Sequence, residues 1–135
     1  MVLIGLIEKT GGMDLATTIM AEYTSPKFLY SSLSLVSSLV SIYSSSTGVV
    51  MPAFISLLPG FLRKLGSGDI IKMVIAVDVG SHMVDVSPLS TLGALCLAAA
   101  SEIKDKTKLF RGLLIWGFSM AGFGAVIIYI MLDLL

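Results

Sequence analysis

Charge is scarce in this chain. Of its 135 residues, nine are Lys or Arg and nine are Asp or Glu, 13% in all, with a net charge of zero. A soluble domain carries about 25% charged residues, so too few are present to coat a water-facing surface. The balanced signs give no basic footprint, and nucleic acid is not expected as a partner. The single cysteine, Cys96, cannot form an intrachain disulfide or build a zinc cluster. Set among Gly93, Ala94, Leu95, Leu97 and Ala98, it reads as a small buried apolar residue. With one histidine, no Gly-rich phosphate loop and no nucleophile elbow, no catalytic constellation emerges. Neither an enzyme nor a resident metal or cofactor is expected.

What is present is apolar surface. Hydrophobic residues make up 56% of the chain and the mean hydropathy is +0.96. The few charges are clumped: residues 28–62, 86–101 and 112–132 carry none. A bilayer core of ~30 Å needs about 20 apolar residues per helical span. The expected class is therefore an all-α integral membrane protein that crosses the bilayer only a few times.

Residues 1–24 read as a packing helix with a polar middle, interrupted by Gly11 and Gly12. Residues 27–62 are the most informative. A 35-residue uncharged rod would be roughly 52 Å long, too long for one crossing and too short for two. Its middle, Ser44-Ser45-Ser46-Thr47-Gly48, is its least helix-favouring part. A re-entrant helical hairpin that turns near the midplane is the simplest solution. Ser34, Ser37, Ser38, Ser41 and Ser45 recur at helical spacing on one face, which suits close helix packing. Pro52 and Pro59 are expected to bend the returning half.

Residues 70–100 exceed one span and contain Asp78, Gly80, His82, Asp85 and Pro88 in the middle. A discontinuous helix fits: one arm to about His82, an unwound segment, and a second arm from Leu89. Ser87 would cap that second arm, with Pro88 in its first position. A charged loop follows, and residues 112–133 form the closing transmembrane helix.

Two broken elements with polar residues at midplane depth suit a transport site. Half-helix N-termini favour an anionic group, and unwound carbonyls with hydroxyls can hold a sodium ion. The candidate substrate-binding residues are Ser45, Ser46, Thr47 and Gly48 in the first element and Ser87, Pro88, Ser90 and Thr91 in the second. Ser44, Ser45, Asp85 and Ser87 are the candidates for a coupling sodium ion or proton. Asp78, His82 and Asp85, spaced i, i+4, i+7, are costly in an apolar stretch. Their spacing fits either a functional role or mutual pairing.

Three segments carry a resemblance. Leu6-Ile7-Glu8-Lys9-Thr10-Gly11-Gly12 is similar to the Glu-Lys-Thr-Gly stretch that precedes the second hairpin in the ion transporter superfamily. Residues 40–48 resemble that hairpin's tip, with Ser45-Ser46-Thr47 at the family's Ser-Asn-Thr. Residues 84–93 resemble the unwound loop of its next helix. The nearest branches are the divalent anion/sodium symporters and the malonate-type dicarboxylate carriers, and the resemblance covers essentially the whole chain. It implies a partial second inverted repeat: the C-terminal part of a dimeric, elevator-type permease in a bacterial inner (plasma) membrane. Such a chain would contribute half of a midplane site for a small dicarboxylate, completed by a missing N-terminal half or a second copy. Ser46 stands where the family has Asn, which removes an amide ligand. Two other readings stand beside this one: a short protein working as an antiparallel homodimer, and a non-transporting membrane assembly or adaptor subunit.

Overall fold

The computed structural model describes residues 24–100 and 105–134, together with 9–12, 15, 18, 19 and 22. The packing helix expected over residues 1–24 lies largely outside the described residues. Every regular element among the described residues is helical.

A short 3-10 turn, Pro26–Phe28, leads into α1, Leu29–Ser41. The chain does not continue as one rod through residues 28–62. It breaks at residues 42–45, slightly earlier than the polar centre of the run suggests. Side-chain hydroxyls cause the break by competing with the helical ladder. Ser44 Oγ bonds back to the Val40 carbonyl at 2.8 Å. Ser45 is extended (φ −91°, ψ 127°), and its Oγ accepts the Gly48 amide at 3.1 Å. A π-turn, Ser46–Val50, then opens α2, Met51–Leu65. This helix keeps Pro59 inside and stops at Gly66, whose φ of 66° is the left-handed C-terminal cap that favours glycine.

Asp69 caps α3, Ile70–Met83, by accepting the Ile71 amide at 2.8 Å. Residues 84–90 form successive tight turns: Asp85 N to His82 O, Ser87 N to Val84 O, and Ser90 N to Ser87 O. Helix α4, Thr91–Ala99, follows. Its cap is Ser90, whose Oγ accepts the Gly93 amide at 3.2 Å. The expectation that Ser87 caps this arm with Pro88 as its first residue is thus corrected by three positions. The turns hold residues 87–90 out of the helix, and Ser87 is fully buried with its hydroxyl on the Ile42 carbonyl at 3.0 Å. Cys96 also departs from expectation, because it is exposed. Helix α4 turns only Gly93 inward, so the cysteine lies on its outer face.

Helix α5, Lys106–Ile128, is extended by a π-turn, Tyr129–Asp133. It begins six residues before the expected 112, because the Asp105 carboxylate accepts the Lys108 amide at 2.9 Å.

Hydrogen bonds fix the topology. Tyr30 Oη accepts the Asp69 amide, Ser37 Oγ donates to the Val77 carbonyl, and Ser38 Oγ to the Gly80 carbonyl. Each pair is separated by about forty residues, so α1 and α3 run parallel with little slippage. Helix α5 runs antiparallel to both. Its last residues reach the start of α1, where Asp133 Oδ1 and Oδ2 accept the Tyr30 and Ser31 amides at 2.9 and 2.7 Å. Those amides are orphan donors of a first helical turn, so the carboxylate acts as a remote cap. Helix α2 returns toward the start of α1: both Leu29 and Leu62 lie beside Gly68. The main core unites the four, with Leu33, Val50, Phe54, Phe61, Met73 and Ile128 buried together. Ile42, Val84 and Ala121 form a smaller cluster where both chain breaks meet α5.

Two elements are long and apolar enough to cross a membrane: residues 46–65 and 106–133. Only 22% of the apolar window of each is buried. Neither is mostly buried within this fold. Ile115 is 68% exposed, and Trp116, Phe123 and Met131 stand out beside it.

The α1–α3 seam is made of small residues. Ser34, Ser37, Ser38 and Ser41 are all fully buried, and Gly80 lies against Ser34 and Ser37. A Cβ on Gly80 would stand 2.3 Å from the Ser34 carbonyl oxygen, well inside contact distance. Gly80→Ala should therefore destabilise the fold by about 1–3 kcal/mol. Gly122→Ala, with nothing within 4 Å, should be neutral or stabilise by up to about 1 kcal/mol. Unfolding in mixed micelles, followed by circular dichroism, compares the two; equal effects would contradict the seam.

Candidate functional site

The parallel register of α1 and α3 brings their two breaks side by side. The first break opens α2 and the second opens α4, so two helix N-termini meet at one level. Between them lies a cavity of about 320 Å³. Ser45, Ser46 and Thr47 line it from the first break. His82, Asp85, Thr91 and Leu92 line it from the second.

The backbone there has unspent donors. Ser45 and Ser90 hydroxyls satisfy the Gly48 and Gly93 amides. The amides of Ser46, Thr47, Thr91 and Leu92 are first-turn groups with no intrahelical partner, and no hydrogen bond within the described chain uses them. Each N-terminus also carries a partial positive charge of roughly half a unit.

One direct bond crosses the site. Ser46 Oγ donates to Asp85 Oδ2 at 3.1 Å. Ser46 is only 4% exposed, while Asp85 is half-buried. Asp85, in the turns after α3, therefore does not pair with the ionisable residues of that helix. Asp78 and His82 do pair: His82 Nδ1 lies 3.1 Å from Asp78 Oδ1 and 2.9 Å from the Asp78 carbonyl. A proton on Nδ1 serves both contacts and leaves Nε2 as the free nitrogen. Among the described residues, no three His, Cys, Asp or Glu side chains converge as metal ligands.

Of the residues picked out in the sequence, Ser45, Ser46, Thr47, Asp85 and Thr91 come together at the cavity. Others do not line it. Ser87 and Ser90 are buried and spend their hydroxyls on backbone carbonyls, those of Ile42 for Ser87 and of Asp85 and Ser87 for Ser90. Pro88 is buried beside them. Gly48 and Ser44 serve the turn itself. Sequence reasoning missed Leu92, whose first-turn position after Ser90 is the one signal that marks it. It also missed the cross-break bond between Ser46 and Asp85, residues 39 apart in sequence. A shallower depression of about 370 Å³ runs along α5 at Asp105, Lys108 and Gly112, lined by that helix alone.

The level of the breaks along the molecule follows from α5. Ala121, packed with Ile42 and Val84, lies about 22 Å from the Lys106 end of that element and about 18 Å from its Asp133 end. Both breaks thus stand beside the middle of a long apolar rod. No protein family, curated protein or solved structure matches this chain.

The Ser46–Asp85 bond can be weighed directly. A double-mutant cycle with Ser46→Ala and Asp85→Asn should return a coupling of about 1 kcal/mol in unfolding free energy. A coupling within a few tenths of zero would mean that the two breaks are not joined there.

Proposed function

We propose that this chain is a component of a secondary transporter for dicarboxylates or similar small organic anions. In this reading it is an integral protein of a bacterial inner membrane and supplies one half of a midplane binding site. Helices α1 and α2 are then a re-entrant hairpin, α3 and α4 one discontinuous spanning helix, and α5 the closing span of a partial inverted repeat. The other half of the site comes from an N-terminal portion or a second copy. Sodium or a proton is the coupling ion.

A single observation carries the proposal: Ser46, Thr47, Thr91 and Leu92, whose first-turn amides have no hydrogen-bond partner among the described residues, line one cavity at two helix N-termini beside the middle of an apolar rod. In hydrocarbon, an unsatisfied backbone donor costs several kcal/mol unless water or a ligand reaches it. Irregular backbone at that depth is tolerated where it lines a cavity, which is where transporters place their sites. Amides and hydroxyls recognise a carboxylate without a formal positive charge. Specificity for two carboxylates needs donors from a second half.

The serine face that the adaptor reading relies on is buried against α3 within this chain: Ser37 and Ser38 donate to α3 carbonyls, and Ser34 Oγ and Ser41 Oγ have no hydrogen-bond partner among the described residues.

Cysteine labelling tests the proposal in membranes. In a Cys96→Ala background, Thr47→Cys and Leu92→Cys should react with a water-soluble maleimide, and succinate should slow both severalfold. Val36→Cys, on the outer face of α1, should not react. Reactivity at 47 and 92 that no dicarboxylate alters would contradict a carrier site, and so would complete inertness.

A further inference from the structure

The Lys106 end of α5 supports a second binding surface, which rests on reading that helix as a membrane span. We propose that the start of α5 seats an anionic phospholipid, its phosphate on Lys108 and Arg111 and an acyl chain along Leu109, Gly112 and Leu113.

The charge there is one-sided. Residues 101–111 hold four basic residues, Lys104, Lys106, Lys108 and Arg111, against two acidic ones, Glu102 and Asp105. The Asp105 carboxylate is engaged as the helix cap, on the Lys108 amide at 2.9 Å. Lys106, Lys108 and Arg111 are exposed. Their charged groups have no ion pair or hydrogen bond among the described residues. At the opposite end of the molecule, by contrast, Lys72 lies over the Tyr30 ring and Lys64 bonds Thr18.

The shape adds an apolar path. At 3.6 residues per turn, Lys108, Leu109, Gly112 and Leu113 share one side of α5, with Lys106 on one flank and Arg111 on the other. Those four, with Asp105, line the depression of about 370 Å³, and its walls are almost wholly apolar. Lysine suits such a wall, since its methylene stem covers apolar surface while its ammonium stays in water. A Cβ on Gly112 would meet nothing within 4 Å, so the notch is open there. Arg111 lies about 15 Å along the axis from Ala121, half the ~30 Å of a hydrocarbon core. With the breaks at mid-depth, Arg111 and Lys108 stand at headgroup level and the notch leads inward from them. Trp116, 54% exposed, follows one turn below Gly112, where an amphipathic indole marks the interface. A free phosphate would engage the cations alone, whereas an acylated phosphodiester also covers the notch.

Trp116 is the chain's single tryptophan and serves as the reporter. The full chain is placed in bilayers of fixed phosphatidylcholine and phosphatidylglycerol content, with brominated acyl chains carried by one lipid or the other. Quenching of Trp116 then gives the relative occupancy of the two lipids beside α5. Phosphatidylglycerol should be favoured about three- to fivefold. Lys108→Gln with Arg111→Gln should bring the ratio near one. Gly112→Leu, which fills the notch and leaves the charge unchanged, should lower it. Lys27→Gln with Arg63→Gln, at the opposite end, should leave it intact, and circular dichroism checks that each variant is folded. A wild-type ratio near one, with both lipids quenching, would overturn the proposal and leave α5 as a span. A preference that survives the Lys108 and Arg111 changes or Gly112→Leu would also overturn it. So would one that falls equally in the Lys27 and Arg63 variant, or that inorganic phosphate abolishes at unchanged ionic strength. Quenching by neither lipid would remove the membrane span, and this proposal with it.

Discussion

Everything in this fold depends on how closely α1 can approach α3. Four buried serines and a glycine let the two helices lie together, and Ser37 and Ser38 then donate into the carbonyls of Val77 and Gly80. Each such bond is worth only about 1 kcal/mol. Their larger effect is on register. A one-turn slip would move a hydroxyl off its carbonyl and bring a side chain against Gly80. Because the helices are parallel and locked, whatever ends one sits beside whatever ends the other.

Both ends are made by the same chemistry. At residues 42–45 and 84–90, hydroxyls compete with the helical ladder and then cap the helix that follows, Ser45 for α2 and Ser90 for α4. The caps satisfy the Gly48 and Gly93 amides, and the first-turn residues Ser46, Thr47, Thr91 and Leu92 line the shared cavity. Helix α5 supplies what neither broken element can, an uninterrupted rod. Its Gly117 lets Ser87 come close, its Gly124 accommodates Met83, and its Asp133 closes the far end on α1. Nearby, Phe28 stacks on Tyr129 at 5.2 Å, and Lys72 lies over the Tyr30 ring at 5.7 Å. The fold is thus tied at one end by Asp133, and at the other the two breaks are joined by the Ser46–Asp85 and Ser87–Ile42 bonds beside the cavity.

Much of this was legible in the sequence, for identifiable reasons. The overlong uncharged run at 28–62 and the ionisable middle of 70–100 each announced a break, because length and hydropathy bear directly on what a helix can do. The arms ended within a few residues of where composition put them. Caps were harder. Ser87-Pro88 has the right local pattern for a helix start, yet Ser90 takes the role, because the Ser87 hydroxyl is drawn to Ile42, 45 residues away. The Asp133 cap spans about a hundred residues, and no local pattern could have shown it. For Asp78, His82 and Asp85, spacing left the pairing open. Only the tertiary fold takes Asp85 away to Ser46.

In the proposed carrier, the two breaks are wet and sit at mid-depth in the bilayer, flanked by lipid-facing helices. Spin labels at Thr47→Cys and Phe118→Cys, each in a Cys96→Ala chain in bilayers, test this most directly. One position lines the cavity and the other is exposed on α5, one residue from Gly117, which approaches Ser87 of the second break. The account predicts that the label at 118 is reached by oxygen and not by a water-soluble nickel complex, while nickel reaches the label at 47. Nickel access at both would contradict a membrane setting. Nickel excluded from both would show a dry break that only packs, with no site to offer.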